Sequence, residues 1–183
     1  GRPVLWSAFP IETRPTDRAG GHPDHLIATV DLGDGALVQV AGLHLDWPAR
    51  GAQAWQVQDF HRFWNAFQAP TVVAGDFNAA PWSAAVRRIE EISRTRIVGG
   101  FRPTWTGGEG GRSGRLWIPL GLPIDHVLVS PGIGVESIRA AWIPGADHRA
   151  VVAQLLVPVA PVPAAAPEPY PDRPASAPRP KPS

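Results

Sequence analysis

Four short stretches of the chain place ionisable or amide side chains where an apolar run stops. In Gly75-Asp76-Phe77-Asn78-Ala79-Ala80-Pro81, the apolar strand from Thr71 ends on a carboxylate and, two residues on, a carboxamide. At a strand end Asp76 and Asn78 can point the same way into a cleft. There a carboxylate binds cation or water, and an amide donates to a phosphoryl oxygen. The same residues also read as a Gly-Asp turn with Asn78 capping a helix begun at Pro81. In Pro123-Ile124-Asp125-His126, Asp125 sits just inside an apolar strand, where an unpaired charge is costly. It needs a partner, and adjacent His126 or a backbone amide is the plain alternative to a catalytic one. Ala146-Asp147-His148-Arg149 lies where a loop enters the last strand, so one residue can turn toward a metal and the next toward a base position. Finally His44 ends the run Val38-Gln39-Val40-Ala41-Gly42-Leu43, in parity with Val38 and Val40, where a histidine also serves a structural role.

The elements that must hold these groups follow from hydrophobic period. Leu26, Ala28, Val30 and Leu32 alternate, Asp34-Gly35 supplies a turn, and Val38, Val40 and Gly42 resume the alternation, which predicts a hairpin. Val57, Phe60, Phe63, Trp64 and Phe67 recur at helical spacing with Gln58, Asp59 and Arg62 facing water. Pro70 ends that helix. A second helix is expected to begin at Pro81 with Trp82, Ala85, Val86, Ile89 and Ile92 on its inner face. Residues 107–115 form a Gly-rich loop carrying Arg112 and Arg115. Strands are expected at Ile124 to Ser130, Val135 to Trp142 and His148 to Val157, and another over Pro3-Val4-Leu5-Trp6-Ser7-Ala8-Phe9.

Helices that follow individual strands, with sheets buried on one face each, predict an α+β fold of two packed, mostly antiparallel sheets flanked by helices. Residues 1–157 are read as the folded part and 158–183, dominated by proline and alanine, as a disordered tail. The net charge of +1 provides no long-range field of the kind that draws in nucleic acid, so any phosphate attraction must be local. There is no cysteine, which excludes disulfides and thiolate metal sites. No Gly-x-Ser-x-Gly elbow surrounds Ser7, Ser83 or Ser130, which removes a serine hydrolase. His22-Pro23-Asp24-His25 is set aside as a metal motif because Pro23 breaks any helix that would align its histidines.

Taken together, the order His, Asp-x-Asn, Asp, Asp-His, each at an apolar strand end, resembles the endonuclease/exonuclease/phosphatase family. The tetrad Gly75-Asp76-Phe77-Asn78 is one of that family's specific marks. The likeness covers about residues 3 to 157, and Thr104-Trp105 and Gly121-Leu122-Pro123-Ile124-Asp125-His126 fit bacterial members attached to, or exported across, the cytoplasmic membrane. The resemblance implies a four-layer α/β/β/α sandwich and a metal-dependent hydrolase of phosphodiester bonds. His148 would be the base, with Asp125 fixing its orientation and tautomer. Asp76 and Asn78 would position nucleophile and phosphate, Asp147 would lie by a Mg²⁺ or Mn²⁺ ion, and His44 would contact a phosphate oxygen or assist the leaving group. Trp105, Arg112 and Arg115 are candidate substrate contacts.

The resemblance also leaves alternatives: a phosphatase or phospholipase-like hydrolase, or a binding module that kept the fold. The expected partner is a phosphodiester substrate, with nucleic acid among the candidates and no obligate protein partner. The family's earlier Asn and metal-binding Glu have no counterpart here. Because the chain opens on Gly1, we expect missing N-terminal strands and a helix upstream, a principal metal carboxylate with them, a fragment of little activity alone, and membrane attachment at a bacterial cell envelope.

Overall fold

The computed structural model describes residues 3–13, 25–48, 51–64, 70–106 and 121–159; of Arg62 and Phe63 only the backbone is described. Arg112, Arg115, Phe67 and most of the Pro/Ala-rich tail therefore lie outside the described residues. The strands are β1 (Ile11–Thr13), β2 (His25–Asp31), β3 (Leu37–His44), β4 (Thr71–Asp76), β5 (Arg96–Val98), β6 (Asp125–Val129), β7 (Gly134–Ala141) and β8 (Ala150–Leu156). The helices are α1 (Ala52–Trp64) and α2 (Ala84–Ser93). Six strands form one sheet in the order β1-β2-β3-β4-β6-β5, antiparallel except for the β3–β4 pair, and β7–β8 form a second, antiparallel sheet.

Period-2 alternation sorts the large sheet into two cores. Ile27, Ala41, Leu43, Val73 and Leu128 face α1 and α2 and pack on Val57, Phe60, Trp64, Val86 and Ile89. The alternate residues Val30, Val38, Val127 and Val129 face the small sheet and meet Val135, Ile138, Val151, Ala153 and Leu155. Helices, large sheet and small sheet are thus stacked as α/β/β among the described residues, the expected pair of packed sheets with helices on the outside of one. Each fully buried Phe, Leu or Ile in these cores contributes roughly 1.5–3 kcal/mol. None of the helices among the described residues is long and apolar enough to cross a membrane.

Three expectations need correction. Residues 3–9 are not a strand: Pro3 and Pro10 offer no amide to a ladder, and pairing with β2 starts only at Ile11. The second helix begins after Ser83, not at Pro81. The Ser83 hydroxyl accepts from the Val86 amide at 3.2 Å and so caps α2, while residues 81–82 form a turn. Trp82 is accordingly not on an inner face but 61 % exposed, stacked on Phe101. Strand β5, three residues long, is too short for a periodicity to reveal.

Candidate active site

Strand register does most of the work of assembly. His44 pairs with Asp76 across the parallel β3–β4 ladder, and Asp76 pairs with Asp125 across β4–β6. Residues in register share a face, so these side chains form one row across three strand ends. Parity puts that row on the side of Val38, Val72 and Val127, the face turned toward the small sheet. His148 arrives from the loop ahead of β8 and closes the row from that sheet. Its Nδ1 is 2.8 Å from Asp125 Oδ2 and its Nε2 is 4.0 Å from Asp76 Oδ2. His44 Nε2 lies 3.8 Å from the same Asp76 oxygen.

A carboxylate oxygen facing an imidazole nitrogen can only accept, so Nδ1–H of His148 donates to Asp125, and Nε2 is turned toward Asp76. Asp76 divides its oxygens: Oδ1 accepts from the Asn78 amide at 2.8 Å, tightening the turn, and Oδ2 faces the two histidines. Burial holds the Asp76 carboxyl above the ordinary carboxylate value; the Asn78 hydrogen bond pulls it down, and the nearby charge of Asp125 pushes it up. Two carboxylates and an imidazole with ligand atoms within 4.8 Å of one another, Asp76, Asp125 and His148, make a donor set rich in oxygen that fits a hard divalent cation.

Gly75 explains why the motif needs glycine. Its φ is +147°, and a Cβ there would sit 1.9 Å from the carbonyl oxygen of Leu43 on the neighbouring strand. Asn78, at φ +44°, adopts the left-handed conformation that asparagine tolerates. Asn78 is not a helix cap. Its side-chain amide donates to the Leu45 carbonyl at 2.7 Å, binding the end of β3 to the end of β4.

Thr104 carries almost no mark in the sequence beyond its place in the Thr104-Trp105 pair. Thr104 is fully buried, and its hydroxyl accepts from the amides of Asp125 at 3.1 Å and Ile124 at 3.3 Å. Its carbonyl accepts from Arg149 at 2.7 Å, so one residue fixes the backbone on both sides of the His148–Asp125 pair. Gly121, at φ +56°, permits the neighbouring bridge in which Leu122 and Trp105 exchange hydrogen bonds, and Trp105 bridges His148 as well. The buried Gln53 was also missed; its amide donates to the carbonyls of Asp46 at 2.9 Å and Phe77 at 3.0 Å, joining α1 to both loops. Neither Thr104 nor Gln53 stands in a pattern that a periodicity would flag.

Of the expected site residues, Asp76, Asp125, His148 and His44 converge, with Asn78 buried beside them. Asp147 is exposed and outside the group of three; its carbonyl accepts from the amide and hydroxyl of Thr106 at 2.8 and 3.0 Å. His126 does not partner Asp125: its Nε2–H donates to the Ala79 carbonyl at 2.7 Å on the helix side of β6.

The profile of the Endonuclease/Exonuclease/phosphatase family matches residues 1–148. No curated protein matches at a significant level. Among solved structures, an endonuclease/exonuclease/phosphatase from Bacteroides vulgatus superposes with a TM-score of 0.60 at 21 % identity, over 73 % of this chain and 55 % of that one. One from Beutenbergia cavernae gives 0.53 at 22 %, over 85 % and 46 %. The human nocturnin catalytic domain with bound sulfate gives 0.51 at 15 %, over 73 % and 52 %. Identities this low speak to the fold alone. The chain spans about half the length of these structures.

Proposed function

The chain belongs to the endonuclease/exonuclease/phosphatase family, and on that footing we propose that it carries the general-base half of a divalent-metal-dependent hydrolase of phosphodiester bonds. The observation that carries this reading is the row His44, Asp76, Asp125 capped by His148, whose Nδ1 is held by Asp125 while Nε2 stays open to the site.

In this reading water is deprotonated by His148 Nε2 as its oxygen attacks phosphorus, and Asp125 holds the ring and stabilises the imidazolium that forms. The bond from phosphorus to the leaving oxygen breaks as the new bond forms, and that oxygen takes up a proton, with His44 placed to assist. Asp76, with Asn78 tightening its turn, orients water and phosphate. Asp76 and Asp125, whose carboxylate oxygens lie close together, would hold Mg²⁺ or Mn²⁺. Such a cation, when bound, neutralises charge developing on the phosphoryl oxygens. A small or lipid phosphoester is favoured over duplex DNA by the net charge of +1, because duplex binding relies on many cationic contacts.

The test is hydrolysis by the full-length protein of plasmid DNA, a generic phosphodiester and phospholipids, with Mg²⁺ or Mn²⁺ and with a chelator. Turnover is expected only with the cation, and His148→Ala is expected to lower kcat by about 10²–10⁴-fold. Full turnover in that variant would sink the assignment of the base.

A further inference from the structure

Next to the acidic row the surface sinks into a pocket of about 400 Å³. Its walls include Trp47 after β3, Asn78 and Ala84 around the β4–α2 connection, and Leu122, Pro123 and Ile124 ahead of β6. Among the described residues, no lining side chain carries a charge. The polar ones are engaged in holding the fold: Gln53 donates to Asp46 and Phe77, Asn78 to Leu45, and the Ser83 hydroxyl caps α2. What faces the pocket is therefore mainly hydrocarbon and one indole. Trp47 is 47 % exposed, and its ring meets Trp105 edge-on with centroids 5.9 Å apart. Trp105 in turn bridges His148 through its backbone. The Trp47 ring thus rests on a residue whose backbone bridges His148, and Asn78 belongs to both pocket and site.

We infer that this pocket receives an aryl ester group of the substrate and so sets its specificity, an inference that rests on the phosphoesterase reading above. A polyanionic strand is a poor occupant, because the described walls offer no cation to neutralise its phosphates. The volume lies at the small end of the range for ligand pockets, roughly 300–1,000 Å³, which suits a ring system. The half-exposed Trp47 indole supplies an aromatic partner for that ring. Asn78 lines the pocket and gives its backbone amide to Asp76, so a ring bound here lies against the edge of the acidic row.

Calorimetric titration of the full-length protein in Mg²⁺ with methylphosphonate, benzylphosphonate and octylphosphonate tests this without requiring turnover. Benzylphosphonate is expected to bind about tenfold or more tightly than methylphosphonate, from burial of the ring. Trp47→Ala, which removes a wall, and Ala84→Trp, which fills the mouth from an exposed position, should both bring that ratio toward one. Equal binding of the two in the wild type, binding of neither, or a ratio unmoved by both variants overturns the inference. Octylphosphonate binding more tightly than benzylphosphonate overturns the aryl assignment in favour of a lipid chain. Selective benzylphosphonate binding by a protein that hydrolyses no phosphoester would leave the pocket standing and sink the hydrolase reading instead.

Discussion

Asp125 and His126 are neighbours on one strand and occupy opposite environments. Asp125 points to the small-sheet face at the strand end, its side chain 18 % exposed and bonded to a histidine ring that is 30 % exposed. His126 points to the helix face, 5 % exposed, with its ring edge-on to Phe77 and its Nε2–H given to the Ala79 carbonyl. Both sites join an imidazole to an oxygen. The first oxygen is ionisable and the ring keeps a nitrogen open to the cleft, so the pair can move a proton. The second oxygen is a carbonyl in a dry core, and the bond only positions a loop. A shift of one residue along β6 separates chemistry from architecture.

Perturbing the Asp125 side should affect rate more than stability. Asp125→Asn leaves the shape but offers the wrong partner to Nδ1–H, and kcat should fall about 10²-fold with the melting temperature little changed. Steady-state kinetics with calorimetric melting would check this; unaltered kcat would erase the contrast between the two sides of β6. Thr104 sharpens the comparison from beneath. Thr104→Val strands the amides of Ile124 and Asp125, at a cost of about 1–3 kcal/mol measured by denaturant unfolding, whereas Thr104→Ser keeps the acceptor and should restore most of the loss.

The smallest expected effect belongs to His126. Burial holds its pKa below the ordinary value of 6.5, ahead of the opposing pull of the Ala79 carbonyl. A histidine with a depressed folded pKa adds stability that is fully present above 6.5 and is lost as pH falls through the folded value, because the core resists the charged ring. Melting temperatures from pH 8 to pH 5 (roughly the span over which histidine titrates) should fall less steeply in His126→Gln than in the wild type. Equal slopes would mean that His126 is not the group responsible.

The residues of the site were more legible than the elements that carry them. Asp76, Asn78, Asp125, His148 and His44 stand out because each interrupts or ends an apolar run, and an ionisable group in that position needs a reason. The hairpin and both helices were legible from period, with α2 misplaced at its start because Pro81 and Ser83 are both good helix openers and only the turn at residues 81–82 decides between them. Thr104 and Gln53 were not legible, since their roles are hydrogen bonds to backbone groups remote in sequence. Nor was the choice of partner for Asp125. His126 is adjacent in the chain yet directed away by the pleat, and the sequence distance of 23 positions from Asp125 to His148 is bridged only by the fold.

By its sequence alone the protein determined a mixed fold of packed sheets and helices, because alternating and helical hydrophobic periods are local properties of the chain. It likewise determined which polar side chains had to be accounted for. The tertiary structure alone decided that His44, Asp76 and Asp125 stand in one row, that His148 faces them from the other sheet, and that an apolar pocket opens beside Asn78. Those are consequences of strand register and sheet packing, which join residues far apart along the chain and are set by how the two sheets bury their inner faces.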